Sequence, residues 1–312
     1  PEPPPPPSPL AVPGFPFGAE QARGAQSALG ETRRTLTLPN GETLTFVRIP
    51  AGAFPMGAVD GYSDERPQAA VRIARPFWLS ATEVKNSQYR AFDPDHDSRY
   101  QDLHGMDHTV PGDIANHRDQ PAIRVSWLRA GAFCAWLGRT AGVSAALPTE
   151  AQWEWAARAG TATRFPWGGV DDDFGAWANL SDQAVRWSNT VGWEGGNRIQ
   201  KRQPYEVALG YPLHEERFTD NWYSIDYVAQ ARPNAWGVYD MVGNASEWTR
   251  SSYRPYPYAD DDGRNSGAAD EPKVVRGGSF RDRPREAGEA VRRAYAPWQA
   301  VYDVGFRVVI EE

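Results

Sequence analysis

Asn234-Ala-Trp-Gly-Val-Tyr-Asp-Met-Val-Gly-Asn-Ala-Ser-Glu-Trp248 crowds aromatic, glycine and carboxylate residues so closely that neither helical nor strand periodicity accounts for it. Gly237 and Gly243 interrupt any regular element and open backbone angles that other residues avoid. Asp240, Asn244 and Glu247 bring hard oxygen donors to a tightly turned segment flanked by Trp236, Tyr239 and Trp248. Oxygen-rich loops kinked at glycine suit calcium, which takes several carboxylate and carbonyl oxygens in a forgiving geometry. The competing reading is a buried turn whose carboxylates accept from backbone amides, an ordinary use of Asp and Asn. On residue types alone both readings stand.

Length and composition narrow the class around this stretch. The 312 residues allow one large domain or a domain with a tail. Thirteen Trp, 13 Tyr and 12 Phe, beside 29 Gly and 27 Pro, describe a loop-rich globule held by aromatic packing. A net charge of −7 argues against nucleic acid as the main partner. No apolar run approaches the ~18–20 residues that cross a bilayer, so the chain is not expected to span a membrane. The single cysteine, Cys134, excludes an intramolecular disulfide and any CxxC metal site.

Residues 1–30 read as a proline-rich tether followed by a short helix, outside or wrapped around the domain that fills residues 31–312. A spacer from an anchor or upstream domain is the expected use of the prolines, which would place the protein in the periplasm, on the cell surface or outside the cell. Two alternating strands flank Pro39-Asn40-Gly41, a hairpin signal. Glu83–Phe92 is expected to be a helix burying Val84, Gln88 or Tyr89, and Phe92. Residues 93–119 read as a polar insertion holding four of the five histidines. Within it His104 and His108 have i, i+4 spacing, with Asp107 and Asp113 nearby and His117 further on. This is either a metal site or a set of solvated side chains. Ser126 caps a helix through Thr140, whose apolar stripe places Cys134 as a buried thiol rather than a nucleophile. Thr149 and Gln152 form a capping box for a second helix, with Trp153, Ala156 and Ala157 on its packing face. The loop 251–272 carries Tyr253, Tyr256 and Tyr258 among prolines, either as a ligand platform or as cover for a neighbouring edge.

The opening stretch resembles the Gly-Leu-Tyr-Asp-Met-Val-Gly-Asn-Val-Trp-Glu-Trp signature of the formylglycine-generating enzyme family. That family includes the sulfatase-modifying factors and relatives in ergothioneine and pyoverdine synthesis. Other landmarks follow in the family's order: Pro50-Ala-Gly-Ala-Phe-Pro-Met-Gly57, Leu147-Pro-Thr-Glu-Ala-Gln-Trp-Glu-Trp-Ala-Ala-Arg158, Arg276-Gly-Gly-Ser279 and Gly305-Phe-Arg307. The resemblance runs from about Thr45 to Glu312. It implies an α+β, C-type-lectin-like fold in one compact, loop-rich domain with little regular secondary structure. It also implies two structural calcium sites. One maps onto Asn179, the Leu180 carbonyl, Asp220 and the Trp222 carbonyl. The other maps onto Asp240, the Gly243 and Ala245 carbonyls, and Glu247.

One departure bears on the chemistry. The family's enzymes place two cysteines after Arg-Gly-Gly-Ser, where they hold copper(I) and engage a substrate thiol. Counted the same way here, those positions fall on Asp282 and Ala287. A carboxylate is a hard ligand and alanine is none, so copper is not expected and neither is oxidation of cysteine to formylglycine. The arginine-rich run around Asp282 offers Arg281 and Arg285, with Trp298 beyond, either as a ligand pocket or as a salt-bridged surface. Three readings follow. The first is a calcium-stabilised, non-catalytic binding or scaffold module with a protein, peptide or glycan ligand. The second is a cysteine-independent oxidative modifying enzyme like the pyoverdine-maturation members, working through the insertion's histidines or through Asp282 and an arginine. The third is a lectin-fold surface receptor.

Overall fold

The computed structural model describes residues 8–102, 111–184 and 214–312. Its elements begin with α1 (Ala19–Ser27), β1 (Arg33–Thr37), β2 (Thr43–Ile49), β3 (Gly52–Met56), β4 (Ala69–Ile73) and β5 (Phe77–Ser80). There follow α2 (Asn86–Tyr89), β6 (Tyr100–Asp102), β7 (Pro111–Ile114), α3 (Trp127–Ala141), β8 (Ala145–Ala146) and α4 (Glu150–Arg158). The C-terminal third supplies β9 (Ser246–Ser252), β10 (Lys273–Gly277), β11 (Gly288–Tyr295), β12 (Val304–Phe306) and β13 (Val309–Glu311).

Gly41, at φ +84°, makes the β1–β2 hairpin turn, and the Asn40 side chain accepts from the Glu42 amide. The hairpin extends into a five-stranded antiparallel sheet in the order β1-β2-β5-β13-β8. A four-stranded sheet, β11-β10-β9-β12, stands apart from it, with β12 parallel to β9. The two last strands therefore belong to different sheets, and only Arg307 and Val308 separate them. One core cluster gathers Trp153, Trp155 and Trp236 with strands β2 to β5. A second gathers Phe133, Cys134 and Leu137 of α3 with Trp248, Phe306 and Ile310.

The helix signals behave as their chemistry demands. Ser126 accepts from the Arg129 amide at 3.3 Å, and Gly142 ends α3 at φ 66°. Thr149 and Gln152 bond reciprocally at 3.1 and 2.8 Å, so both ends of the capping box are made. Cys134 is buried, and burial pushes its thiol upward, away from the reactive thiolate form. The Glu83–Phe92 helix is shorter than expected: only Asn86–Tyr89 is helical, and Glu83 turns inward ahead of it.

The N-terminal segment is packed against the domain rather than standing off it. Phe17 lies 5.8 Å from Trp155 and 6.2 Å from Trp236, measured between ring centroids. Trp236 donates from its indole to the Ala22 carbonyl at 3.1 Å, and Gln26 donates to the Arg48 and Trp236 carbonyls. Ala22 is fully buried. The apolar face of α1 thus covers the aromatic core directly beneath the signature loop.

Candidate functional site

The loop 234–248 folds through four left-handed residues: Gly237, Asp240, Gly243 and Asn244. Asn234 holds its start by accepting from the Trp236 and Val238 amides and donating to the Ala156 carbonyl of α4 at 2.7 Å. Gly243 is needed for space as well as for its φ of +82°, because a Cβ there would fall 2.2 Å from the Asn179 carbonyl oxygen. The Asn244 amide donates to that same carbonyl at 2.9 Å, and the Asn179 and Asn244 side chains meet at 3.3 Å. The two ligand sets that the resemblance implies are therefore neighbours, joined through Asn179 and the Gly243-Asn244 turn.

The first set carries the donors a hard cation wants. Asn179 is buried with its amide nitrogen on the Ser224 carbonyl, and its Oδ1 has no hydrogen-bond partner. A buried, unpartnered amide oxygen is costly unless something else binds it. Asp220 accepts from the Leu180 and Trp222 amides at 2.7 Å each, leaving a lone pair on each oxygen. Burial, with Asp182 and Asp226 adding repulsion, pushes the Asp220 carboxyl up to about 8. Asp182 is also buried and accepts from the Asp220 amide at 2.5 Å, a contact the sequence did not single out. Calcium would meet this demand for positive charge with Asn179, Asp220 and the Leu180 and Trp222 carbonyls as ligands.

The second set is differently disposed. Glu247 is fully buried, but Arg307 already grips both its oxygens at 2.5 and 2.6 Å, and the Trp153 indole donates at 2.7 Å. Its charge is neutralised by protein. Asp240 accepts from the Ala229 amide at 2.6 Å, and Glu83 accepts from the Asn244 side chain at 3.1 Å while its other oxygen has no partner. Burial raises both carboxyls, Asp240 to about 6 and Glu83 well above its ordinary value, where repulsion from Asp240 and Glu247 adds to the effect. Among the described residues, no three His, Cys, Asp or Glu side chains form a metal-ligand group. A cation among the described residues would therefore combine few such side chains with amide and carbonyl oxygens, and the Asn179–Asp220 set fits that requirement better than the Asp240–Glu247 set.

The positions where the family's thiols would stand hold an ion pair and a packed methyl group. Asp282 accepts from Arg293 at 2.8 and 2.5 Å and from the Ser279 amide at 2.7 Å. Ser279 also bonds Asp303 through its hydroxyl at 3.0 Å. Ala287 is fully buried among Phe165, Phe174, Leu180 and Val242. A Cβ on Gly278 would approach the Ala287 Cβ to 2.7 Å, so the two backbones are in close contact. Arg281 lies over the Tyr302 ring at 4.5 Å, and burial lowers its affinity for its proton. Arg285 is exposed, with its carbonyl bound by Arg164 at 2.8 Å. Trp298, 72% exposed, stands on the turn 296–299 rather than in the buried cluster. Asp282 and Arg281 thus lie in one charged network, and Trp298 stands on the surface apart from it.

Beneath lies a buried charge lattice whose members the sequence showed only as helix and strand residues. Glu150 and Glu154 on α4 face Arg276 of β10. Glu150 also pairs with Arg292 at 2.5 Å, and Glu154 with Arg158 at 2.8 Å. Tyr256 donates to Glu150 at 3.2 Å while Arg292 lies over the Tyr256 and Tyr253 rings at 4.2 and 4.7 Å. Tyr256 and Tyr258 are buried and Tyr253 is half-buried, so this loop covers the lattice. In the histidine-rich insertion, His96 bonds Ser98 at 3.0 Å, packs against Tyr89, and is lowered to about 4 by burial. His117 lies 4.5 Å from the Tyr227 ring. His104, Asp107 and His108 lie outside the described residues.

A lectin-like frame, a signature loop locked by Arg307, and the Arg276-Gly-Gly-Ser279 strand define the class of domain built around formylglycine generation. The family model for the sulfatase-modifying factor enzyme 1-like domain matches residues 33–312, and the chain belongs to that family. It is 27% identical over 319 residues to the inactive C-alpha-formylglycine-generating enzyme 2 of Bos taurus, covering 88% of this chain and 90% of that one. It is 29% identical over 279 residues to the formylglycine-generating enzyme of Streptomyces coelicolor, covering 75% and 78%. Among solved structures, PvdO from Pseudomonas aeruginosa superposes with a TM-score of 0.62 at 22% identity, over 89% of this chain and 98% of that one. Treponema denticola variable protein 1 gives 0.60 at 19%, over 90% and 100%, so the fold is common to all of them.

Proposed function

We propose that this chain is a calcium-stabilised, non-catalytic binding or scaffold module of the family, working outside the cytoplasm on a protein, peptide or glycan ligand. The observation that carries the reading is the occupation of the thiol positions by the Asp282–Arg293 ion pair and by Ala287. With Cys134 buried on α3, no pair of thiolates is available for copper. A relative of comparable length whose name describes it as inactive supports the same reading. Calcium is assigned to Asn179, Leu180, Asp220 and Trp222, on the strength of the unpartnered Asn179 oxygen. An oxidative enzyme working from Asp282 is the weaker reading, because that carboxylate already accepts from Arg293 and from the Ser279 amide.

The test incubates copper-loaded protein with a Cys-x-Pro-x-Arg peptide and follows the thiol by mass spectrometry. No loss above background is expected; turnover would overturn the proposal. Elemental analysis of the purified chain should find calcium alone, and stoichiometric iron or copper would favour an enzyme.

A further inference from the structure

A cavity of about 400 Å³ opens between Gly112–Ile114 of β7 and the loop 221–227. Its two walls are fixed to each other. Gln120 donates to the Ile114 carbonyl at 3.0 Å and to the Ile225 carbonyl at 2.9 Å. The Asp226 amide donates to the Asn244 side chain at 3.0 Å, which ties the loop to the signature turn. A pocket held this way loses little freedom when a ligand enters.

Much of the polar lining of the cavity is already engaged, but one carboxylate oxygen is not. Both Gln120 amide protons are spent on those carbonyls, and its oxygen accepts from the His117 amide at 2.9 Å. Ser224 accepts from Gln101 at 2.7 Å. Asp226 gives one oxygen to the Tyr227 amide at 2.7 Å and keeps the other. A second carboxyl, Asp113, lines the cavity but is already partnered, and among the described residues no Lys or Arg lines it. Burial raises the Asp226 carboxyl. Around these acids stand Trp222, Tyr223 and Tyr227, the two tyrosines 39% and 41% exposed, with Ile114 67% exposed at the rim. Aromatic faces beside a carboxylate attract ammonium groups, and an anion would be repelled by that carboxylate.

We infer that this cavity binds an alkylammonium group, its head at Asp226 between the tyrosines and its stem along Ile114. Lysine side chains and free aliphatic amines share that chemistry. The inference rests on the binding-module reading and gives its ligand class.

The experiment titrates the calcium-supplemented chain with acetyl-Gly-Lys-Gly amide and with butylamine, following Trp and Tyr emission and backbone amide shifts. Acetyl-Gly-norleucine-Gly amide and glucose serve as neutral comparators. Saturable binding of the lysine peptide at about millimolar strength is expected, weakened about tenfold in Asp226→Asn and in Tyr227→Leu. Tighter binding of the peptide than of butylamine assigns a protein partner; the reverse assigns a small amine. Equal binding of the norleucine peptide or glucose overturns the inference, as does absence of saturation by either amine. Should Asp226→Asn fail to fold, the exposed Tyr227→Leu variant carries the test. The binding-module reading fails separately, by turnover of the Cys-x-Pro-x-Arg peptide, whatever the amines do.

Discussion

Gly243→Ala should be among the most damaging single-methyl additions in the chain, and its cost follows from two separable terms. At φ +82° an alanine pays the left-handed backbone penalty of about 1–2 kcal/mol. Its Cβ would also stand 2.2 Å from the Asn179 oxygen and 2.9 Å from the Asn179 carbonyl carbon, and the neighbour is backbone, which cannot rotate away. Forcing such an overlap costs a further ~1–3 kcal/mol, giving a total of about 3 kcal/mol. Gly267→Ala is the control, since Gly267 has φ +78° and nothing within 4 Å, so only the backbone term of about 1 kcal/mol applies. Urea unfolding followed by tryptophan emission measures both variants. The reasoning fails if Gly243→Ala is no less stable than Gly267→Ala. Because the clash moves Asn179, the variant should also respond less to added calcium in a thermal melt.

Other outcomes follow from the same geometry. Asp220 and Asp240 have folded-state affinities raised to about 8 and about 6, so the metal-free fold holds their protons more tightly than the unfolded chain does. Their contribution is therefore full at low pH and is lost as pH rises from about 4 through 8. Calcium should abolish the Asp220 part of that loss; parallel melting curves with calcium and with chelator would count against a calcium ligand there. Asp282→Ala strands Arg293 and should cost about 2 kcal/mol, whereas Asp282→Ala with Arg293→Met should cost less than the two single changes together. Additivity in denaturant titration would show that the pair is energetically silent. Deletion through Gly30 uncovers Trp155 and Trp236 and should lower stability by about 3 kcal/mol. An unchanged melt after that deletion would refute the packing role of α1.

Much of this arrangement was legible because it rests on local chemistry. Ser126, Gly142 and the Thr149–Gln152 pair mark helix ends through bonds made within three or four residues, and Asn40-Gly41 marks a turn in the same way. The ligand residues could be placed only through resemblance, and their relation to one another was hidden. Asn179 and Asn244 meet across 65 residues, a contact no local pattern encodes. Glu83 was misread because its neighbours suit a helix, whereas it turns inward to accept from the Asn244 side chain, 161 residues away. The tyrosines of the 251–272 loop left platform and cover equally open, since the buried arginines and glutamates they cover come from α4, β10 and β11.

The placement of β12 and β13 in different sheets, with Arg307 between them, bears on how the domain assembles. β13 is an inner strand of one sheet, the bridge without which β5 and β8 have no common partner, while β12 closes the edge of the other. The residue joining them supplies the countercharge for Glu247 in the signature loop. Two cores and one buried carboxylate thus wait on the same eight-residue stretch, 304–311. A chain lacking it would keep its local helices and hairpins but hold two open sheets and an uncompensated buried charge. Folding should be all-or-none at this joint, and protease nicking near residue 303 should release both halves of the domain together.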